Sequence, residues 1–163
     1  MQTYCREAVK LCATLLVEKK LTLAVAESVT AGRAALEFSL IDKERQFLQG
    51  GIVFFDAKVR ESLLKVNPEI VKLYTSESLE VAREVVTGLS LLMDADLKIG
   101  ITGVISASKD AINESPPGSI NVYCTLRNSM LFEESYFFSG SPEDIIFETI
   151  AQISIDIYIH LMA

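Results

Sequence analysis

The sequence predicts a layered α/β domain built on a mixed sheet. Short apolar runs of strand length alternate with amphipathic segments of helical spacing through the first two-thirds of the chain. Near the C-terminus, two strand-like runs are joined by the short connection Arg127-Asn128-Ser129, a hairpin signal. Strand–helix–strand alternation implies parallel neighbours and a hairpin implies an antiparallel pair, so the sheet should contain both. With 163 residues, half of them hydrophobic, and no Pro- or Gly-rich linker, residues 1–163 form one domain with a sizeable core.

The elements follow in order. Arg6 to Lys19 reads as an amphipathic helix, with Val9, Cys12, Leu15 and Leu16 near one stripe. Leu21 to Ala26 is a short buried strand, which runs into the turn Glu27-Ser28-Val29-Thr30-Ala31-Gly32 and a helix reaching about Leu40. Gly50-Gly51 precedes a second strand at Ile52 to Phe55. Asp56 caps a helix that turns Val59, Leu63 and Leu64 inward, and Ser76 or Ser78 opens a longer helix carrying Leu79, Ala82, Val86 and Leu89. Leu97 to Ile101 is a strand ending at Thr102-Gly103. Ser106 to Ser115, closed by Pro116-Pro117-Gly118, is a surface loop. Ile120 to Leu126 and Met130 to Phe138 form the hairpin. The last segment is ambiguous locally, because Ile153 to Ile159 alternates with period two. Its length, its lack of a breaker and its opening Ser141-Pro142-Glu143-Asp144 favour a helix.

Composition excludes several functions. A formal charge of −7 is the wrong sign for a nucleic-acid binder, which needs a concentrated basic surface. Three scattered cysteines, Cys5, Cys12 and Cys124, form no C-x-x-C pair and fit reduced, packed thiols. No cluster of His, Cys or carboxylates has metal-ligand spacing, and no metal or cofactor is expected. The N-terminus lacks the order of a secretory signal, and no uncharged apolar run approaches the roughly 20 residues of a membrane span. No membrane partner and a cytoplasmic location are therefore expected.

The chemistry concentrates at Glu27-Ser28-Val29-Thr30-Ala31-Gly32. A serine at a strand-to-helix turn lies beside backbone N–H groups and the positive end of a helix dipole. Such a place can present a nucleophile, stabilise an oxyanion or hold a phosphate, and it can equally be an ordinary helix cap.

That segment resembles the E-S-C-T-G-G motif of the CinA C-terminal family, and other segments resemble the family in the same order. Gly50-Gly51 follows Ser28 at the family's spacing. Ser78 to Gly88 is similar to its S-E-E-V-A-R-E-M-A-E-G helix. Thr102-Gly103 falls where the family has T-G-I-A-G-P. Glu114 to Gly118 resembles E-K-P-V-G, and Phe138-Ser139-Gly140 resembles the F-x-G before the last helix. The resemblance spans essentially the whole chain. It implies a three-layer α/β/α sandwich with a helical C-terminus, and the removal of the amide from nicotinamide mononucleotide to give nicotinate mononucleotide and ammonia. It also implies Ser28 as the nucleophile, with Glu27, Thr30, Gly51, Phe55, Arg60, Thr102 and Gly103 as substrate-binding positions.

Several positions depart from the family pattern. Where the family carries Y-S-N-x-x-K, this chain places Phe55 at the tyrosine and Arg60 at the lysine. Phe55 has no hydroxyl to relay a proton, and a guanidinium does not act as a base. Lys58 is two residues from Arg60 and faces elsewhere on a helix. The glycine-rich A-G-P-x-G-G loop becomes Ile105 to Asp110, and G-S-S becomes Lys43-Glu44-Arg45. The arginines of G-D-R-x-x-V-R are absent from Gly140 to Ile146. Lys43, Arg45, Arg60 and Lys109 are the cations left to compensate for a lost phosphate site. His160 is the only histidine, and a Ser-His-Asp triad is not expected. Two expectations stand side by side: a serine-dependent amidohydrolase acting on a pyridine nucleotide or related small amide, and a non-catalytic relative that binds a nucleotide or a protein partner. The apolar surplus of the last helix, from Ile145 to Leu161, adds the expectation of a homodimer.

Overall fold

A computed structural model describes residues 1–106 and 115–163. The strands are β1 (Leu23–Glu27), β2 (Leu48–Val53), β3 (Leu97–Gly103), β4 (Ser119–Leu126) and β5 (Ser129–Phe137). The helices are α1 (Gln2–Lys19), α2 (Arg33–Ile41), α3 (Ala57–Leu63), α4 (Pro68–Tyr74), α5 (Leu79–Leu92) and α6 (Pro142–Met162). The sheet order is β2-β1-β3-β4-β5. β1 pairs parallel with both β2 and β3, whereas β3–β4 and β4–β5 are antiparallel, which is the expected mixed sheet.

Two apolar clusters define three layers. On one face, Leu23, Val25, Leu97 and Ile99 pack with Val9 and Leu16 of α1, Phe38 of α2, and Ile150 and Ile153 of α6. On the other, Ala24 and Ala26 pack with Leu64, Val81, Val85 and Leu89. Alternation along β1 thus sends large residues toward one layer and alanines toward α5. The small side chains let the helix approach: a Cβ at Gly100 of neighbouring β3 would lie 2.6 Å from the Ala82 carbonyl oxygen.

Capping chemistry sets where the helices begin. Ser78, rather than Ser76, caps α5 by accepting from the Val81 N–H at 3.3 Å. Asp56 caps α3 as expected, accepting from the Lys58 N–H at 2.7 Å. Ser141 and Asp144 form a capping box at α6, and the buried positions Ile145, Ile150, Ile153 and Ile157 follow a helical stripe. The period-two pattern is therefore incidental to a helix buried against both the sheet and α1. By length and composition alone α6 could cross a membrane, but here its isoleucine stripe packs inside the core. Coverage by α1 also accounts for part of the apolar surplus that motivated the homodimer expectation.

Several boundaries differ from the sequence reading, and of the residues expected to face inward from α3 only Leu64 is buried, Val59 and Leu63 being exposed. β2 starts at Leu48 and contains Gly50-Gly51, rather than following it. The reason is close packing: a Cβ on Gly51 would come within 2.9 Å of the Ala35 Cβ on α2. Helix α4 was not anticipated; it has seven residues and none is fully buried, so no apolar stripe betrays it. The expected surface loop lies mostly at residues 107–114, outside the described residues.

Candidate functional site

The carboxyl ends of β1, β2 and β3 lie side by side. The chain leaving β1 turns toward β2, while the chain leaving β3 turns toward β4, so a crevice opens between the two exits. Ser28 stands at this point. Its backbone N–H donates to the Ile101 carbonyl oxygen at 3.0 Å, and its Oγ reaches the same oxygen at 3.4 Å. A pocket of about 280 Å³ opens here, lined in part by Ser28, Phe55, Arg60, Ser76, Glu77 and Gly103.

The structure brings Ser28, Phe55, Arg60 and Gly103 together, and turns the other expected contacts elsewhere. Glu27 is fully buried and faces α2. Its Oε2 accepts from the Ala34 N–H at 3.1 Å and its Oε1 from the Ala35 N–H at 3.0 Å. The Thr30 hydroxyl donates to the same carboxylate. Glu27 is thus a cap reaching forward from the strand, and it occupies first-turn N–H groups that a helix dipole would otherwise offer to an anion. Thr30 is fully buried in that bond and does not line the pocket. Gly51 serves the approach of β2 to α2. Thr102, also fully buried, donates its hydroxyl to the Glu77 carbonyl oxygen at 2.9 Å. These four positions, expected to contact substrate, instead fix the backbone around the pocket. Gly103 does both: at φ 154° it leaves β3, and a Cβ there would lie 2.4 Å from the Ser119 carbonyl oxygen.

Phe55 is 71% exposed at the mouth and presents only a ring. Among the described residues Arg60 is the one cation lining the pocket, buried to 7% exposure with Nε unpartnered. Lys58 and His160 do not line this pocket. His160 sits at the end of α6, stacked on Phe132 with ring centroids 5.0 Å apart. Lys43 and Arg45 lie in the α2–β2 connection, at the opposite end of the parallel strands. Lys109 and the replaced glycine loop from Ala107 onward fall outside the described residues. The acids at the start of α6 are partly engaged: Asp144 accepts from the Ser141 hydroxyl at 2.6 Å, and that bond lowers its pKa.

Of the charged residues lining the pocket, one, Glu77, escaped the sequence reading. Glu77 precedes the α5 cap and is 5% exposed, with Oε2 accepting from the Ser76 hydroxyl at 2.7 Å and Oε1 unpartnered among the described residues. The only signal was its place one residue before a helix cap, where an acid usually faces solvent or the helix dipole. Among the described residues no group of three or more His, Cys, Asp or Glu side chains could hold a metal ion.

Fold and site together define a three-layer α/β/α domain with a small pocket, apolar but for a few charged and hydroxyl groups, at the carboxyl ends of its central parallel strands. A family model described as the CinA C-terminal domain matches residues 6–160. The chain belongs to that family. A putative competence-damage inducible protein of Listeria monocytogenes is 33% identical over 111 residues, which cover 68% of this chain and 26% of that protein. A CinA-like protein of Chlorobium phaeobacteroides is 33% identical over 110 residues, covering 68% of this chain and 25% of its own length. The matched region is thus about a quarter of the length of these relatives. In fold, the chain resembles a crystal structure of a CinA superfamily protein from Klebsiella pneumoniae at TM-score 0.90 and 22% identity, covering 97% of this chain and 98% of that one. A competence/damage inducible protein from Agrobacterium tumefaciens matches at TM-score 0.86 and 18% identity, covering 98% and 96%.

Proposed function

We propose that this domain binds a small polar molecule of the pyridine-nucleotide type in the Ser28 pocket and does not hydrolyse its amide. The observation that carries this reading is the hydrogen bonding of Ser28. Its Oγ has the Ile101 carbonyl oxygen as partner at 3.4 Å, an acceptor that cannot take the proton away. A serine nucleophile needs a base within hydrogen-bond reach, roughly 2.6–3.2 Å. Among the described residues the pocket is lined by no lysine or histidine. Arg60 favours an anionic group on the ligand, and its permanent charge removes it from proton transfer.

A second reading, serine-dependent deamidation of nicotinamide mononucleotide or a related amide, is favoured by one observation. Glu77 lines the same pocket as Ser28, and its carboxylate is a proton acceptor. Ligand binding would have to bring the two together for that chemistry.

Calorimetric titration with nicotinamide mononucleotide tests the binding reading, with intact ligand recovered afterwards by mass spectrometry. Saturable binding that Arg60→Gln weakens, with the amide retained, supports it. Absence of binding by the folded protein would refute it.

A further inference from the structure

Arg60 and Glu77 are opposite charges, each more than nine-tenths buried and each lining the Ser28 pocket. Among the described residues no ion pair joins them. Among the described residues each also keeps an unused atom: Nε of Arg60 is a donor without an acceptor, and Oε1 of Glu77 an acceptor without a donor. Burying a charged group without its partner is costly, so an arrangement of this kind is stable only if something completes it.

Backbone hydrogen bonds hold the main chain of both residues. Arg60 donates its N–H to the Asp56 carbonyl at 3.1 Å and accepts from the Leu64 N–H at 3.2 Å, which fixes it in α3. The Glu77 carbonyl accepts from Thr102 Oγ at 2.9 Å and from Asn121 Nδ2 at 2.7 Å, tying the residue to β3 and β4. The remaining lining is apolar or hydroxylic, including Val29, Phe54, Ile105, Ser28 and Ser76. A small volume lined by one positive and one negative group that do not pair with each other matches a ligand with the reverse pattern.

We propose that the pocket selects a small zwitterion, with its anionic group taken by Arg60 and its cationic group by Glu77. This rests on the binding reading above and adds that Glu77 reads positive charge. A purely anionic ligand would satisfy Arg60 while placing its other end beside an uncompensated carboxylate, and like-charge or unpaired contacts of this kind discriminate strongly. Two sources share the chemistry, a pyridinium nucleotide and an amino acid.

The test uses matched pairs in calorimetry on the full chain. Oxidised nicotinamide mononucleotide carries a pyridinium charge that its reduced form lacks, at nearly the same size; L-phenylalanine carries an ammonium that 3-phenylpropionate lacks. In at least one pair, the member that carries the cationic group should bind about tenfold or more tightly than the partner that lacks it, and that pair identifies the source. Glu77→Gln should bring the two members of that pair to within about twofold, whereas Arg60→Gln should weaken both. The wild-type comparison stands even if a variant folds poorly. Equal affinity within every pair that binds would overturn the zwitterion proposal while leaving the binding reading intact. Failure of all four compounds to bind would overturn both.

Discussion

Thr102 and Glu77 are joined by a hydrogen bond from the Thr102 hydroxyl to the Glu77 carbonyl oxygen at 2.9 Å, and this bond fastens the turn before α5 to the end of β3. Asn121 Nδ2 reaches the same oxygen at 2.7 Å, so two strands hold one acidic pocket residue by its backbone. Thr102→Val keeps the shape and removes one donor. It should cost about 1 kcal/mol in chemical denaturation and speed amide exchange around Glu77. Unchanged exchange at residues 76–78 would show that the bond does not secure the turn.

Glu27 is the stronger structural dependence. Its carboxylate accepts from two backbone N–H groups of α2 and from Thr30, in full burial. Glu27→Ala leaves those donors unsatisfied, and the expected loss is about 3 kcal/mol. Glu27→Gln, which retains only one acceptor oxygen, should fall between Ala and wild type. Equal stability of all three proteins in urea titrations would contradict the cap.

Ala31 adopts φ 53°, in the left-handed region that favours glycine, between Thr30 and Gly32. The conformation costs a non-glycine residue roughly 1–2 kcal/mol, offset in part by the greater freedom of glycine in the unfolded chain. Ala31→Gly should therefore raise stability by about 0.5–1 kcal/mol, read as a shift in the urea midpoint. A lowered midpoint would mean that the turn carries no such strain.

The thiols predict an alkaline instability. Burial raises Cys5 to about 11 and Cys12 to about 12, and it raises Cys124 as well. An unfolded chain ionises its cysteines near pH 8.5, so above that pH the unfolded state releases protons that the folded state retains. The stabilisation from these groups is complete below about pH 8.5 and is lost as the pH climbs toward the folded values. Denaturation midpoints should fall between pH 9 and 11, and the native thiols should resist alkylation at pH 8. Rapid alkylation of the folded protein would contradict their burial.

The architecture was legible because the strong signals are local. Ser141-Pro142-Glu143-Asp144 marks a helix start through its own capping chemistry, and the hairpin shows in its two flanking runs. The pocket was only partly legible. Ser28 was visible from its place at a strand-to-helix turn, yet a sequence does not say which way a side chain points there. Glu27 and Thr102 turn inward to serve backbone, while Phe55 and Arg60 reach the pocket. Glu77 was missed because its burial depends on β3 and β4, distant in sequence from the turn they hold. α4 was missed for the converse reason, having too little burial to leave a pattern.

Ammonia release from nicotinamide mononucleotide, compared between the wild-type protein and Ser28→Ala, tests the central claim most directly. The two proteins should release ammonia at the same background rate, as expected of a pocket that binds without hydrolysing. Turnover by the wild type that vanishes in Ser28→Ala would contradict the claim, and would place a working base within reach of Ser28.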